Sequence, residues 1–142
     1  MNARAQELKL TQTYFLNAEG LDVYEQESGA YSSVRDIAIL LSYILSNAPH
    51  IFDATQYGEQ TFTSLGGVTH IFKNTNEHAS RIPGIVASKT GFTDLAGGNL
   101  AIIFEAGPMY PIAVVVLGSS VDGRFSDVET LVRATLQKLN QE

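Results

Sequence analysis

The feature that most constrains this chain is a run of three apolar segments in its second half: Ile85 to Thr90, Asn99 to Glu105 and Ile112 to Gly118. β-Branched residues cluster in the first and third, and turn signals separate all three. Segments of that length and make-up read as strands. The connection Ala106-Gly107-Pro108-Met109-Tyr110-Pro111 is short enough for an antiparallel hairpin. Behind the strands comes SDVETLVRATLQKL, where Ser126-x-x-Glu129 reads as a capping box. Val128, Leu131, Val132, Leu136 and Leu139 then form one apolar stripe. A helix with that stripe belongs on a face of the preceding sheet.

The first half has a different character. Asn2 to Leu10 reads as a short helix, with Ala3, Leu8 and Leu10 as its buried positions. TYFLNAEGLD is a loop, because Asn17, Gly20 and Asp22 each favour turns. Ser32 or Ser33 caps a helix running to about Asn47, in which Ile37, Leu40, Leu41, Ile44 and Leu45 share one face. Pro49 punctuates it, and a short helix follows around His50 to Thr55. Gln60 to Leu65 alternates like a strand that Gly66-Gly67 ends. Helices first, then an antiparallel sheet and a closing helix, define an α+β class. Residues 1–83 are mainly helix and loop; 84–142 carry the strands and last helix.

Composition narrows the function. With 44% apolar and 17% charged residues, the 142-residue chain has the balance of one folded domain. Its net charge is −6 and its Lys and Arg are scattered, which argues against a nucleic-acid partner. Without cysteine there are no disulfides, zinc ribbons or thiol chemistry. His50, His70 and His78 lack metal-ligand spacing and read as ordinary polar histidines. Asp53, Glu59 and Glu77 read as solvated charges, and Tyr14 and Phe15 as packing anchors. Gly97-Gly98 lacks the surroundings of a phosphate loop. No metal or cofactor is called for. The N-terminus is polar from its second residue and contains no export signal.

Lys89-Thr90-Gly91 carries the chemistry. At the end of a strand it makes a clamp for a substrate's terminal carboxylate: an ammonium from Lys89, a hydroxyl donor from Thr90, and at Gly91 no side chain to stop a substrate lying along the strand. The next N–H, on Phe92, can point at a developing oxyanion. A given tripeptide arises by chance in roughly 2% of chains this long, so context must carry the argument.

That context is extensive. KTGFTDLAGGNL resembles the K-T-G-x-T-x-x-A-G-x-x-L signature of the serine-type D-alanyl-D-alanine carboxypeptidases, the low-molecular-mass penicillin-binding proteins. TYFLNAEGLD resembles that family's F-x-N-x-x-G-L loop, and AYSSVRDIAIL its S-x-x-D-(I/L)-A helix start. FKNTN is similar to the segment before its Lys-Thr-Gly strand, and LGSSVDGRF to its Gly-Arg turn. The resemblance implies the β-lactamase/penicillin-binding-protein transpeptidase fold and an acyl-enzyme mechanism. A serine in Ser-x-x-Lys attacks the bond between two D-alanines, with that Lys as base, helped by the Ser of Ser-x-Asn. By resemblance Lys89, Thr90 and Gly91 bind substrate, Phe92 lends its N–H to the oxyanion hole, and Arg124 helps hold the terminal carboxylate. The implied ligands are D-Ala-D-Ala peptides of peptidoglycan and β-lactams, in an extracytoplasmic setting.

No serine here is followed three residues on by lysine, and neither Ser-x-Asn nor Tyr-x-Asn occurs. In the family both motifs precede the segment similar to MNARAQELKL. The expectation is therefore the C-terminal half of a catalytic domain, whose strands keep an unpaired edge and a bare apolar face, and whose partner is the missing half or a second copy of the chain. A class A β-lactamase is disfavoured, since no E-x-x-L-N precedes Lys89. A non-catalytic module that binds a peptide or partner by its strand edge is the alternative of a different class.

Overall fold

The computed structural model describes residues 1–141. In chain order the elements are α1 (Asn2–Glu7), β1 (Tyr14–Phe15), β2 (Ala30–Tyr31), α2 (Val34–Asn47), a 3-10 helix (Pro49–Thr55), β3 (Glu59–Thr63), β4 (Thr69–Lys73), a 3-10 turn (Ala79–Arg81), β5 (Ile85–Thr93), β6 (Gly97–Glu105), β7 (Pro111–Ser119) and α3 (Gly123–Leu139). Strands β5, β6 and β7 form one antiparallel sheet in that order. All three run longer than their apolar cores. Lys-Thr-Gly consequently lies inside β5 and not at its end, because Gly91, Phe92 and Thr93 continue the ladder opposite Asn99, Gly98 and Gly97. The turn comes only afterwards, where the Thr93 hydroxyl accepts from Ala96 N at 3.0 Å.

The sheet is the middle of three layers. On one face Leu100, Ile102 and Phe104 of β6 and Val114 of β7 pack against Phe125, Val128 and Val132 of α3. Phe104 is fully buried, which is worth about 1.5–3 kcal/mol for a side chain of its kind. On the other face Ala87, Ala101 and Ile103 meet Leu41 of α2 and Phe52 of the 3-10 helix. The bare apolar face expected from the strands is thus covered. The α2 side is not deep, however. Ile37, Ile44 and Leu45 are only half-buried. Strands β5 and β7 remain the two edges.

Several local expectations change. Ser33, not Ser32, caps α2, accepting from Asp36 N at 3.2 Å. No capping box operates in α3. The helix begins earlier, at Gly123, whose N–H is met by Ser120 Oγ at 2.8 Å. Ser126 lies a turn inside and donates to the Gly123 carbonyl, while Glu129 reaches His78. Leu131 is exposed, and Phe125 takes the interior place. In α1 the buried position is Ala5 and not Ala3, with Leu10 just beyond it. Arg4 of that helix is held protonated above its usual range by its hydrogen bond to Glu7 and by Tyr43 of α2. The strand read at 60–65 is β3, and it has a partner, β4, in a hairpin whose turn holds Gly67 at φ +80°.

Candidate active site

The site is built on the outer edge of β5. Ser88 N donates to Thr55 Oγ1 at 3.1 Å and Ser88 Oγ to the Thr55 carbonyl at 2.9 Å, so the Ser88 backbone faces away from β6. In an antiparallel strand alternate residues direct their backbone groups to the same side. Thr90 and Phe92 therefore also present theirs to the outside. Beyond Thr55 this edge is met by side chains. The Lys89 ammonium donates to the Thr90 carbonyl, and the Thr75 and Thr90 hydroxyls lie 2.6 Å apart.

A cavity of about 820 Å³ opens along this edge. Lys89, Thr90, Gly91, Phe92 and Arg124, the five residues singled out in the sequence, all line it. Its opposite wall is the loop between Phe15 and Ser32. That wall is shaped locally. Asn17 accepts from Gly20 N at 2.7 Å and donates to the Leu21 carbonyl at 2.8 Å, closing the loop on itself. Asn2 brackets Phe15 through both backbone groups at 2.8 Å. Buried Asp36 accepts from Gln12 N and the Thr13 hydroxyl, each at 2.8 Å, tying the loop to the first turn of α2. Tyr14 is exposed and is not the packing anchor expected, whereas Phe15 is half-buried and lines the cavity. Across the mouth, Leu95 N donates to Asp22 Oδ2 at 3.2 Å.

Arg124 is no surface residue. It is 9% exposed, and its Nη1 donates to the Gly91 carbonyl at 2.9 Å. It sits in the first turn of α3, where the helix dipole disfavours a cation. Its Nε is buried without a partner. Among the described residues neither Lys89 nor Arg124 has a carboxylate within ion-pair distance. A chain of net charge −6 thus directs two uncompensated cations into one cavity, a field that favours an anion. Among the described residues no cluster of His, Cys, Asp or Glu is placed to hold a metal.

Two glycines differ in what the fold asks of them. At Gly98 a Cβ would lie 2.1 Å from the Ser120 carbonyl, so only glycine lets β6 approach the segment that starts α3 and aims Arg124. At Gly91 a Cβ would meet only Asn99 Cβ, at an ordinary 3.7 Å, and φ is not positive. Packing does not require glycine there. Thr75 and Asn74, noted in the sequence only within the FKNTN segment, had no role assigned there. Asn74 donates to the Thr55 and Tyr57 carbonyls at 2.9 and 3.0 Å and accepts from Asn76 N, which fixes the segment carrying Thr75. Their signals were the FKNTN resemblance and an Asn-Thr-Asn triplet of ordinary turn composition, neither of which specifies these hydrogen bonds.

A three-layer fold with an edge strand bearing Lys-Thr-Gly defines part of a penicillin-binding, DD-peptidase domain. The chain belongs to the D-alanyl-D-alanine carboxypeptidase family, peptidase S11, which it matches over residues 1–120. It is 31% identical over 134 residues to the D-alanyl-D-alanine carboxypeptidase DacA of Escherichia coli, covering 93% of this chain and 31% of that protein. To DacF of Bacillus subtilis it is 33% identical over 132 residues, covering 93% and 33% respectively. Penicillin-binding protein D2 of Listeria monocytogenes, solved with cefotaxime bound, shares 28% identity at a TM-score of 0.75, over 99% of this chain and 53% of that one. The chain therefore spans about a third of the curated relatives it matches and about half of that structure. The fold class expected from the sequence holds.

Proposed function

We propose that this chain supplies the substrate strand and carboxylate clamp of a serine D-alanyl-D-alanine carboxypeptidase, which trims the terminal D-alanine from peptidoglycan stem peptides through an acyl-enzyme. One observation carries the reading: Lys89 and Arg124, without a carboxylate partner among the described residues, line one cavity along a strand edge that has backbone groups to offer. A peptide lying along β5 is held by main-chain hydrogen bonds as an added strand. Its terminal carboxylate meets the two cations and the Thr90 hydroxyl, through charge-assisted bonds about twice as strong as neutral ones. Gly91, which the fold does not need as glycine, leaves room for the peptide backbone. The Phe92 N–H stabilises the oxyanion as the carbonyl becomes tetrahedral. β-Lactams, whose carboxylate and carbonyl imitate those of the peptide, enter by the same contacts.

The nucleophile of this reaction is not among these 142 residues, which hold no Ser-x-x-Lys. In the proposal it comes from polypeptide carrying that motif and Ser-x-Asn, seated over the α2 side of the sheet. The setting is extracytoplasmic, where peptidoglycan lies. The test is co-expression with the corresponding segment of a family member, followed by fluorescent-penicillin labelling. Labelling should appear in the combined protein. Its rate should fall about ten- to a hundredfold for Lys89→Ala, because the variant has no ammonium to bond the carboxylate. It should be unchanged for Lys73→Ala, on the β4 strand. Equal rates for wild type and Lys89→Ala would remove the clamp from the mechanism.

A further inference from the structure

Phe125 touches two side chains that belong to different parts of the molecule. The Arg124 guanidinium carbon is 4.7 Å from its ring centroid. The imidazole of His78 stacks on it at 4.8 Å with an interplanar angle of 26°. His78 is itself fixed, since its Nδ1 is 2.6 Å from Glu129 Oε1, one turn further along α3. Its backbone N–H is held by Asn76 Oδ1 at 3.2 Å. The result is a continuous series of contacts from Glu129 through His78 and Phe125 to Arg124 and the Gly91 carbonyl.

Arg124 needs such support. A guanidinium has five donors, and among the described residues this one makes a single hydrogen bond. It stands at the unfavourable end of a helix. An aromatic face is what holds it besides Gly91, and a cation over a ring is attracted to it. We propose that His78 is a positioning residue for the carboxylate clamp: anchored by Glu129, it sets the orientation of Phe125, and Phe125 sets that of Arg124. This rests on the reading of Lys89 and Arg124 as that clamp. His78 touches no substrate. It acts by narrowing the range of guanidinium orientations before a carboxylate arrives, so less ordering is left for the binding step.

The probes are N-acetyl-D-alanyl-D-alanine and its C-terminal amide, titrated into the full chain by NMR, with the Arg124 Nε–H resonance as a second readout. The unsubstituted chain should prefer the carboxylate, and Arg124→Gln should lose that preference. His78→Ala should lower it about five- to twentyfold, the range of one partly desolvated cation–aromatic contact. Amide binding should stay level, and the Arg124 Nε–H signal should broaden. His78→Phe, which puts a flat ring back over Phe125, should recover most of the preference, whereas a purely structural role would track the melting temperature of each variant. No preference in the unsubstituted chain overturns the clamp and this role with it. A preference lost in Arg124→Gln but intact in a folded His78→Ala overturns the role of His78 alone.

Discussion

The hydroxyls of Thr75 and Thr90 lie 2.6 Å apart, joining the segment after the β3–β4 hairpin to the middle of the Lys-Thr-Gly strand. Only one of the two can donate across that gap. If Thr75 donates, the Thr90 proton is left for a ligand carboxylate. Thr75→Val keeps the shape but removes the donor that orients the Thr90 hydroxyl toward the ligand. It should weaken binding of an acyl-D-alanyl-D-alanine carboxylate about three- to tenfold, the worth of one neutral hydrogen bond. Thr75→Ser should restore it. Calorimetric titration of the three proteins gives the comparison, and equal affinities would show the pair to be structural.

The chain by itself should form no covalent adduct with penicillin. Removing the nucleophile of a serine hydrolase costs on the order of 10⁶ in rate, and the oxyanion and binding groups preserve only a small remainder. Mass spectrometry after incubation with a labelled penicillin decides the matter. A stoichiometric adduct on any serine would place a nucleophile where no Ser-x-x-Lys exists.

Gly91 and Gly98 should separate binding from folding. Gly98→Ala drives a Cβ into the Ser120 carbonyl and should lower the melting temperature sharply, by moving either β6 or the start of α3. Gly91→Ala meets nothing closer than 3.7 Å. It should melt within a degree or two of the parent, or slightly higher, since alanine restricts the unfolded chain more than glycine does. Its peptide affinity should nonetheless fall, because the added methyl stands where a ligand backbone lies.

Phe104→Ala should destabilise by about 3–5 kcal/mol, the usual cost of emptying an aromatic site in a packed interior. Its side chain is enclosed between the sheet and α3, away from the cavity. Urea denaturation measures the loss. Ligand affinity of the remaining folded fraction should not change.

What the sequence disclosed follows from what sets each feature. The strands and the closing helix were legible because their apolar residues recur with the period of the element. The end of β5 was not, because Gly91 looks like punctuation although the ladder passes through it, whereas Gly97-Gly98 does stand at the start of β6. Ser126-x-x-Glu129 has the spacing of a cap, but the start of α3 is set earlier by Ser120 and the Gly98 approach, which are tertiary facts. Strand β4 was open to detection: Gly66-Gly67 lies between two alternating runs, the pattern of a hairpin. At the site, Lys89 and Thr90 were found through a motif. His78 and Glu129 are 51 residues apart, and no local pattern announces a pairing of that kind.

The hydrogen bond between Leu95 N and Asp22 Oδ2 has a dynamic consequence. One wall of the cavity is cross-linked within residues 2–36, through Asn2, Asn17 and Asp36. The other belongs to the sheet and is backed by α3. The two walls are joined below through α2, whose Leu41 packs on the sheet, and across the mouth by a 3.2 Å contact open to solvent. Such a bond to a carboxylate contributes at most about 1.5–3 kcal/mol, less than the unfolding of either wall requires. The mouth therefore opens and recloses many times for each time a wall comes apart. In hydrogen exchange, the Leu95 amide should trade its proton well before the amides of Ile102 or Ile103, and the width of the entrance is a property of the ensemble and not a fixed dimension.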